Sequence, residues 1–83
     1  MKTLIKTKFN IGDTVYIADH YYDFYANSEP YMITDVLIDI NSKRTHIAYE
    51  VEQKDFTYRV PETWTFASYD ECAQWCDLKN KGG

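Results

Sequence analysis

The sequence has few residues that break or loosen a fold, and it has no long apolar stretch. Its 83 residues include only three glycines and two prolines, which disfavours a disordered chain or a linker. No apolar run approaches the roughly 18 residues that a membrane-spanning helix needs. Residues 1–6 also lack the apolar core of a secretory signal. We therefore expect a single cytoplasmic domain over residues 1–83, without a membrane partner.

Basic residues are scarce in the body of the chain. Residues 9–78 hold all thirteen acidic residues but only four basic ones, a formal charge of −9, whereas five lysines lie near the two ends. Because nucleic-acid backbones are bound mainly through Lys and Arg, this body disfavours general nucleic-acid binding. The charge favours a partner protein with a basic surface, or mimicry of nucleic acid towards a protein that binds it.

Recognisable catalytic and cofactor motifs are also lacking. No nucleophile, paired base or phosphate-binding loop can be named, so we expect neither enzymatic activity nor a cofactor. Cys72 and Cys76 lie four residues apart, but a closed zinc site needs four ligands. The other soft candidates, His20 and His46, fall on a loop and on the outer face of a predicted strand. We therefore expect two small core residues and no metal site.

What the sequence does contain is short runs of alternating apolar and polar residues, with 17% aromatic residues. In residues 9–18, Gly12 and Asp13 predict a turn, in which Gly12 supplies backbone freedom and Asp13 bonds to nearby main chain. A strand with Val15 and Ile17 on its inner face follows. The alternation predicts five strands in all, at residues 14–18, 31–40, 45–52, 56–60 and 64–66.

In the second predicted strand, the alternation of apolar and polar residues shifts by one position near the middle. Its apolar residues form two sets, Tyr31 and Ile33 before the change and Val36, Ile38 and Ile40 after it. A β-bulge near Thr34 would put all five on the core face and bend the strand. Turns at 41–44 and 54–55 then pair inward residues with each other: Val36 with Tyr49, and Tyr49 with Val60. Lys54-Asp55 is a poor turn sequence, because neither residue favours positive φ.

The C-terminal region predicts a helix. Ser68 and Glu71 form a capping box, and the helix should run over about 69–79 with Cys72 and Cys76 on its inner stripe. A one-turn helix is expected at 61–63. At the other end of the chain, Leu4 and Ile5 are expected to pack on the body. These elements together predict a mainly β domain, a small five-stranded barrel over 9–66 with a short C-terminal α-helix.

Several motifs carry a resemblance to known small proteins. They are Lys8-Phe9-x-Ile11-Gly12-Asp13-x-Val15-Tyr16, Tyr31-x-Ile33, Val36-x-Ile38, Tyr49-x-Val51 and Phe66-x-Ser68. Over residues 8–76 the chain resembles small uncharacterised proteins of bacteriophages and mobile elements. Its opening resembles the Src-homology-3-like (SH3-like) barrels of KOW and Tudor-type modules. The resemblance implies an SH3-like barrel acting in a bacterial host cell, with inhibition of host defence, of the anti-CRISPR type, among the implied roles. This fold hosts many unrelated functions.

The segment 19–31 is the first candidate binding site, and we expect it to be a long loop. Its candidate contacts are aromatic and acidic side chains: Asp19, Tyr21, Tyr22, Asp23, Phe24 and Tyr25. Exposed aromatic residues usually mark recognition. The alternative is that the rings cap a small core, and we expect two or three of them to pack inward. A third possibility is that the loop pairs two copies as a homodimer.

The second candidate is an acidic sheet face formed by Asp35, Glu50 and Glu52. In the predicted register Asp35, Glu50 and Arg59 line up across three strands. Like charges that oppose each other destabilise a sheet, and Arg59 would relieve this pair. The face is therefore either an ordinary solvated surface or an acidic patch that attracts a basic partner.

Together these features favour a non-enzymatic protein-binding module. It would bind a host protein such as a nucleic-acid-handling defence enzyme, with the aromatic segment as anchor and the acidic face for steering. Inhibition of that host protein is the sharper form of this prediction. The alternative is a nucleic-acid-binding barrel that stacks bases on the aromatic rings and holds phosphates with the terminal lysines.

Overall fold

The computed structural model describes residues 6–82, which form six strands, a short 3₁₀ helix and an α-helix. The strands are β1 (Thr14–Tyr21), β2 (Asp23–Ala26), β3 (Tyr31–Ile40), β4 (Thr45–Gln53), β5 (Phe56–Pro61) and β6 (Thr65–Phe66). The 3₁₀ helix is Glu62–Trp64, and helix α1 is Tyr69–Lys81. The predicted mainly β class with a C-terminal helix is confirmed. The expected packing of Leu4 and Ile5 lies outside the described residues.

The strands form one antiparallel sheet in the order β2-β1-β3-β4-β5, with β6 paired to β1. The sheet has six strands rather than the expected five, because Asp23–Ala26 forms a strand in the segment expected to be a loop. Within residues 6–82, β5 pairs only with β4, so the sheet is open and does not close into the expected barrel. The reason lies at the end of β5. Pro61 has no N–H to donate, the chain turns through the 3₁₀ helix, and β6 is only two residues long.

The turn before β1 has the predicted chemistry. Gly12 has φ +95°, a conformation that side chains with a Cβ rarely adopt, and its N–H donates to the Ile33 carbonyl at 2.8 Å. The Asp13 carboxylate accepts a hydrogen bond from the Asn10 N–H at 2.8 Å. This turn therefore ties the start of β1 to β3.

The predicted register of the central strands is confirmed. The β3–β4 pairing shifts between Ile33 and Asp35, where the bulge was expected. Val36 pairs with Tyr49, and Tyr49 pairs with Val60. The expectation that every inward residue is buried is wrong at the hairpin ends, where the strands extend past the core and leave three side chains exposed: Ile38, Ile40 and Phe56.

Two hydrophobic cores lie on opposite sides of β1, because successive side chains of a strand point to opposite faces. Val15 and Ile17 enter the sheet core, whose other buried members are Tyr31, Ile33, Tyr49, Val51 and Val60. Ala18 enters a second core beneath α1, with Phe66, Cys72 and Cys76. Trp64 packs against both cores, so it connects the sheet to the helix layer.

Helix α1 begins as predicted, since Ser68 Oγ accepts from the Glu71 N–H at 3.2 Å. The expectation that Cys72 and Cys76 are core residues is also confirmed, because both are buried and free. Burial, with a smaller effect of Cys76 beside it, raises the pKa of the Cys72 thiol to about 12. Between residues 6 and 82, no helix combines the length and apolarity that crossing a bilayer requires.

Candidate binding site on the aromatic arm

The segment expected to be a loop is a β-hairpin that projects from the sheet. Strand β1 continues to Tyr21, and β2 returns antiparallel to it, with Asp19 opposite Tyr25 and Tyr21 opposite Asp23. The expectation of a long loop over 19–31 is therefore wrong. Aromatic residues favour pleated structure, and here they alternate between two faces of the hairpin. We refer to residues 18–26 as the aromatic arm.

The tip of the aromatic arm presents two tyrosine rings to solvent. Tyr22 is the single residue between the two strands, has φ +64° and is 87% exposed. Tyr21 is 72% exposed, and its ring meets the Tyr22 ring edge-on at 4.6 Å between centroids. A positive φ is unusual for a bulky residue. The backbone at the tip is therefore held in a conformation that tyrosine does not favour by itself.

The inner face of the arm is anchored by Phe24. Its ring meets Trp64 at 5.2 Å and Trp75 at 4.9 Å between centroids, both in edge-to-face geometry. Phe24 was a predicted partner contact, but the structure places it among core rings. With Tyr31 also buried, two rings of the segment pack inward, as expected. Tyr21, Tyr22 and Tyr25 are left exposed.

Helix α1 holds the outer edge of the arm through Asn80. The Asn80 side-chain amide donates to the Phe24 carbonyl, and its Oδ1 accepts from the Phe24 N–H, both at 2.9 Å. These two bonds occupy backbone groups that a further strand would otherwise use. Exposed strand edges tend to pair with other chains. Asn80 therefore covers the edge of β2 and fixes the arm to the helix. No local sequence pattern indicated this contact.

The opposite face of the arm carries Asp19 at its base. Asp19 Oδ2 accepts from Asn27 Nδ2 at 3.1 Å, and the same nitrogen lies 3.4 Å from the Tyr31 hydroxyl. Among residues 6–82, Oδ1 of Asp19 has no hydrogen-bond partner. Burial, with Tyr58 and Asp19 nearby, raises the pKa of Tyr31 to about 12. Asp19 therefore retains an oxygen that can accept a hydrogen bond from a ligand.

A cavity of about 230 Å³ lies between the base of the arm and β5. We call it the β1–β5 groove. Its lining residues are apolar, aromatic and, in one case, acidic: Ile17, Ala18, Val60, Tyr58, Trp64 and Asp19. Arg59 and Pro61 complete the lining. The groove exists because the sheet is open between these strands.

A row of three aromatic rings, one on β3 and two on β5, includes Tyr58 of this groove. Tyr31 and Tyr58 lie 5.7 Å apart between ring centroids, and Tyr58 stacks on Phe56 at 6.4 Å with planes 17° apart. Tyr58 is 44% exposed and Phe56 is 62% exposed. Both rings share the parity of Val60 in residues 56–60, so the alternation predicts that they face inward, but it does not identify them as site residues. No signal in the sequence separates these two rings from the buried residues on the same face of the sheet.

The acidic sheet face has the predicted register. Asp35 pairs with Glu50, and Glu50 pairs with Arg59. Glu52 lies two residues further along β4, and it is exposed, as is Asp35. Glu50 and Glu52 alternate with the buried Tyr49 and Val51 and so point away from the core. Because β1 and β3 separate β2 from β4, the acidic face and the aromatic arm are two surfaces rather than one site.

The possible metal ligands are dispersed. Among residues 6–82, no group of three or more His, Cys, Asp or Glu side chains converges closely enough to hold a metal ion. His20 meets the Phe24 ring on the arm at 4.7 Å, and His46 pairs with Asp39 in the β3–β4 hairpin. Cys72 and Cys76 are in the second core.

The chain matches no protein-family model, no curated protein and no solved structure. The resemblance to bacteriophage and mobile-element proteins therefore stays a prediction.

Proposed function

We propose that this protein is a non-enzymatic module that binds a partner protein through the aromatic arm. The observation that carries the proposal is the contrast between the two ends of the arm. Its tip exposes Tyr21 and Tyr22, whereas its base is fixed by Phe24 between two tryptophans and by Asn80. A solvent-exposed aromatic pair on a rigid support is typical of a binding anchor.

Rigidity matters because binding must offset the entropy of ordering the contact surface. Tyrosine has few rotatable bonds, and a hairpin held by Phe24 and Asn80 loses little freedom when a partner docks. Tyr25 adds a third exposed ring on the face of the arm next to Asp19. We therefore expect these three tyrosines to contribute most of the binding free energy, about 2 kcal/mol or more for the central ones.

Charge favours a basic partner surface. The acidic residues of the sheet face contribute little affinity individually, but their combined field speeds association with a basic partner. Binding should therefore weaken as salt concentration rises. Inhibition of a nucleic-acid-handling host enzyme is the sharper form of this proposal and stays a prediction.

The test is recovery of a partner from bacterial lysate with the tagged protein, with and without nuclease treatment. The variant Tyr22→Ala, Tyr25→Ala removes two exposed rings and leaves Phe24 in place. Leu78→Ala is the matched control, because Leu78 is 71% exposed but lies on α1 and not on the arm. We expect stoichiometric recovery of one protein by the wild type and by Leu78→Ala, and its loss with the double variant.

Two outcomes would contradict the proposal. One is equal recovery by the double variant and the control, which would show that the arm is not the anchor. The other is recovery that depends on intact nucleic acid, together with a clear shift on titration with oligonucleotides at low salt. That second outcome would support the nucleic-acid-binding alternative instead.

A further inference from the structure

The free edge of β5 presents unpaired backbone groups next to the β1–β5 groove. β5 pairs with β4 through the two-residue turn at Lys54 and Asp55, and Gln53 and Phe56 close this turn. In such a hairpin the closing pair exchanges hydrogen bonds, and bonded and non-bonded pairs then alternate. The N–H and C=O groups of Thr57 and Arg59 therefore point away from β4. No described strand pairs with them.

The position of Pro61 is consistent with this alternation. This residue pairs with Ala48 and lies two residues beyond Arg59, in the same phase as Thr57 and Arg59. A proline is tolerated in a strand where its missing N–H would have faced an unpaired edge. The proline at the end of β5 is therefore compatible with the alternation. It also limits any added strand to the part of β5 before residue 61.

The side chains beside this edge favour an extended segment with a basic residue. Tyr58 and Val60 point to the groove face of β5, and Ile17 lies across the groove from them. Such a lining suits the aliphatic stem of Lys or Arg. The Tyr58 and Trp64 rings can interact favourably with its cationic head, and Asp19 offers the free Oδ1.

We propose that an extended segment of the partner adds to β5 as a further strand and places a lysine or arginine side chain in the β1–β5 groove, against Asp19. This inference rests on the proposed protein-binding function and specifies the mode of recognition. The backbone bonds would form with Thr57 and Arg59, and the groove would select the basic side chain. The charge of −9 over residues 9–78 favours such a segment over a neutral or acidic one.

A second copy of this chain fits the edge less well. Each copy carries a net charge of −4, so two copies repel each other. In a β5–β5 pairing the only basic residue of the added strand would be Arg59. Its side chain projects to the face that Glu50 shares, opposite to the groove. Asp19 would therefore meet no basic group.

The test uses a displayed library of random linear peptides with the folded, full-length protein as bait at low salt. Enriched peptides should share a Lys or Arg within a stretch free of proline. Their affinity is then measured for three variants. Thr57→Pro removes the outward N–H and none of the backbone bonds to β4. Thr57→Ala also loses the threonine side chain but keeps that N–H, so it is the matched control. Asp19→Asn removes the charge but keeps an oxygen for Asn27.

We expect Thr57→Pro and Asp19→Asn each to weaken peptide binding by about tenfold or more, and Thr57→Ala to bind like the wild type. In the complex, the amide protons of Thr57 and Arg59 should become protected from hydrogen exchange. Circular dichroism and thermal unfolding establish that each variant is folded. If Thr57→Pro does not fold, Asp19→Asn and the exchange measurement still decide the question.

Three results would overturn the inference. They are a library that yields no basic consensus, equal affinity of all three variants, and a concentration-dependent dimer that Thr57→Pro abolishes, which would assign the edge to a second copy. A different result would refute the proposed function. If Tyr22→Ala, Tyr25→Ala still recovers the lysate partner while Thr57→Pro does not, the edge is the site and the arm is not the anchor.

Discussion

The backbone at Tyr22 allows binding and stability to be separated by one substitution. Tyr22 has φ +64° at the tip of the aromatic arm. In this region the Cβ of an ordinary residue crowds the following carbonyl, at a cost of about 1–2 kcal/mol. Glycine has no Cβ, but its unfolded state has more conformational entropy, which costs about 0.5–1 kcal/mol on folding. Tyr22→Gly also loses the edge contact with the Tyr21 ring, worth about 0.5 kcal/mol. We therefore expect this substitution to stabilise the protein by up to about 0.5 kcal/mol.

The contrast with Tyr22→Ala isolates the backbone effect. Alanine keeps the Cβ and its crowding, and it loses the edge contact with the Tyr21 ring, so this variant should be less stable than the wild type by about 0.5 kcal/mol. The expected order of the free energies of unfolding is therefore glycine, then tyrosine, then alanine. For a domain of this size, 1 kcal/mol corresponds to about 4–8 °C in Tm.

The assay is reversible urea unfolding of the three proteins, with Lys54→Gly as the matched control. Lys54 has φ +52° in the β4–β5 turn, so glycine should stabilise there by a similar amount. If Tyr22→Gly is no more stable than Tyr22→Ala while Lys54→Gly gains stability, the strain argument at the tip is refuted. In the lysate experiment, Tyr22→Gly should lose partner recovery despite its higher stability, and Lys54→Gly should not.

Three further predictions follow from the contacts around the arm and the cores. Asn80→Ala removes both bonds to the Phe24 backbone, so the Phe24 amide should lose protection in hydrogen exchange and the free energy of unfolding should fall by about 1–2 kcal/mol; unchanged protection would show that Asn80 does not hold the arm. Tyr49→Phe removes a hydroxyl that donates to Glu62 and accepts from the Phe9 N–H, which should cost about 1–3 kcal/mol in urea unfolding; a cost near zero would contradict the role of this network. Burial raises the pKa of Cys72 to about 12 from an ordinary value of 9.0. As the pH rises, the unfolded state therefore loses the thiol proton before the folded state does. The free energy of unfolding should stay constant below about pH 9 and fall as the pH rises towards 12. The fall is up to about 1.4 kcal/mol per pH unit for such a group, so Cys72→Ala should have a shallower pH dependence, and an unchanged slope would refute this assignment.

The central strands could be predicted because their pattern has only one consistent solution. A shift of one residue in a strand exchanges its two faces, so Tyr49 and Val51 could be buried only in the observed phase. The parity change across Thr34 then required a bulge, and the Asn41–Arg44 turn fixed the pairing of β3 with β4. Local turn chemistry and period-two alternation were sufficient for this part of the fold.

The arm could not be predicted in the same way. Asp19, His20 and Asp23 are poor strand formers, and no sequence between the two halves favours a tight hairpin turn. What holds the hairpin is distant in sequence: the two tryptophans around Phe24 and the Asn80 amide. Contacts of this kind leave no local periodicity. The sequence therefore identified the aromatic residues of the site but not the strand that presents them.

The two ends of the sheet differ in a way that bears on function. β2 and β5 are the terminal strands of the order β2-β1-β3-β4-β5, and each would normally present unpaired backbone groups. The edge of β2 is covered by Asn80. Along β5, the groups of Thr57 and Arg59 have no described partner, and the edge faces a groove with Asp19 on its other side. A uniform need to suppress aggregation would have covered both edges. The asymmetry is explained if β5 is the edge on which a partner segment pairs, and the arm beside it provides the aromatic contacts that hold that segment in place.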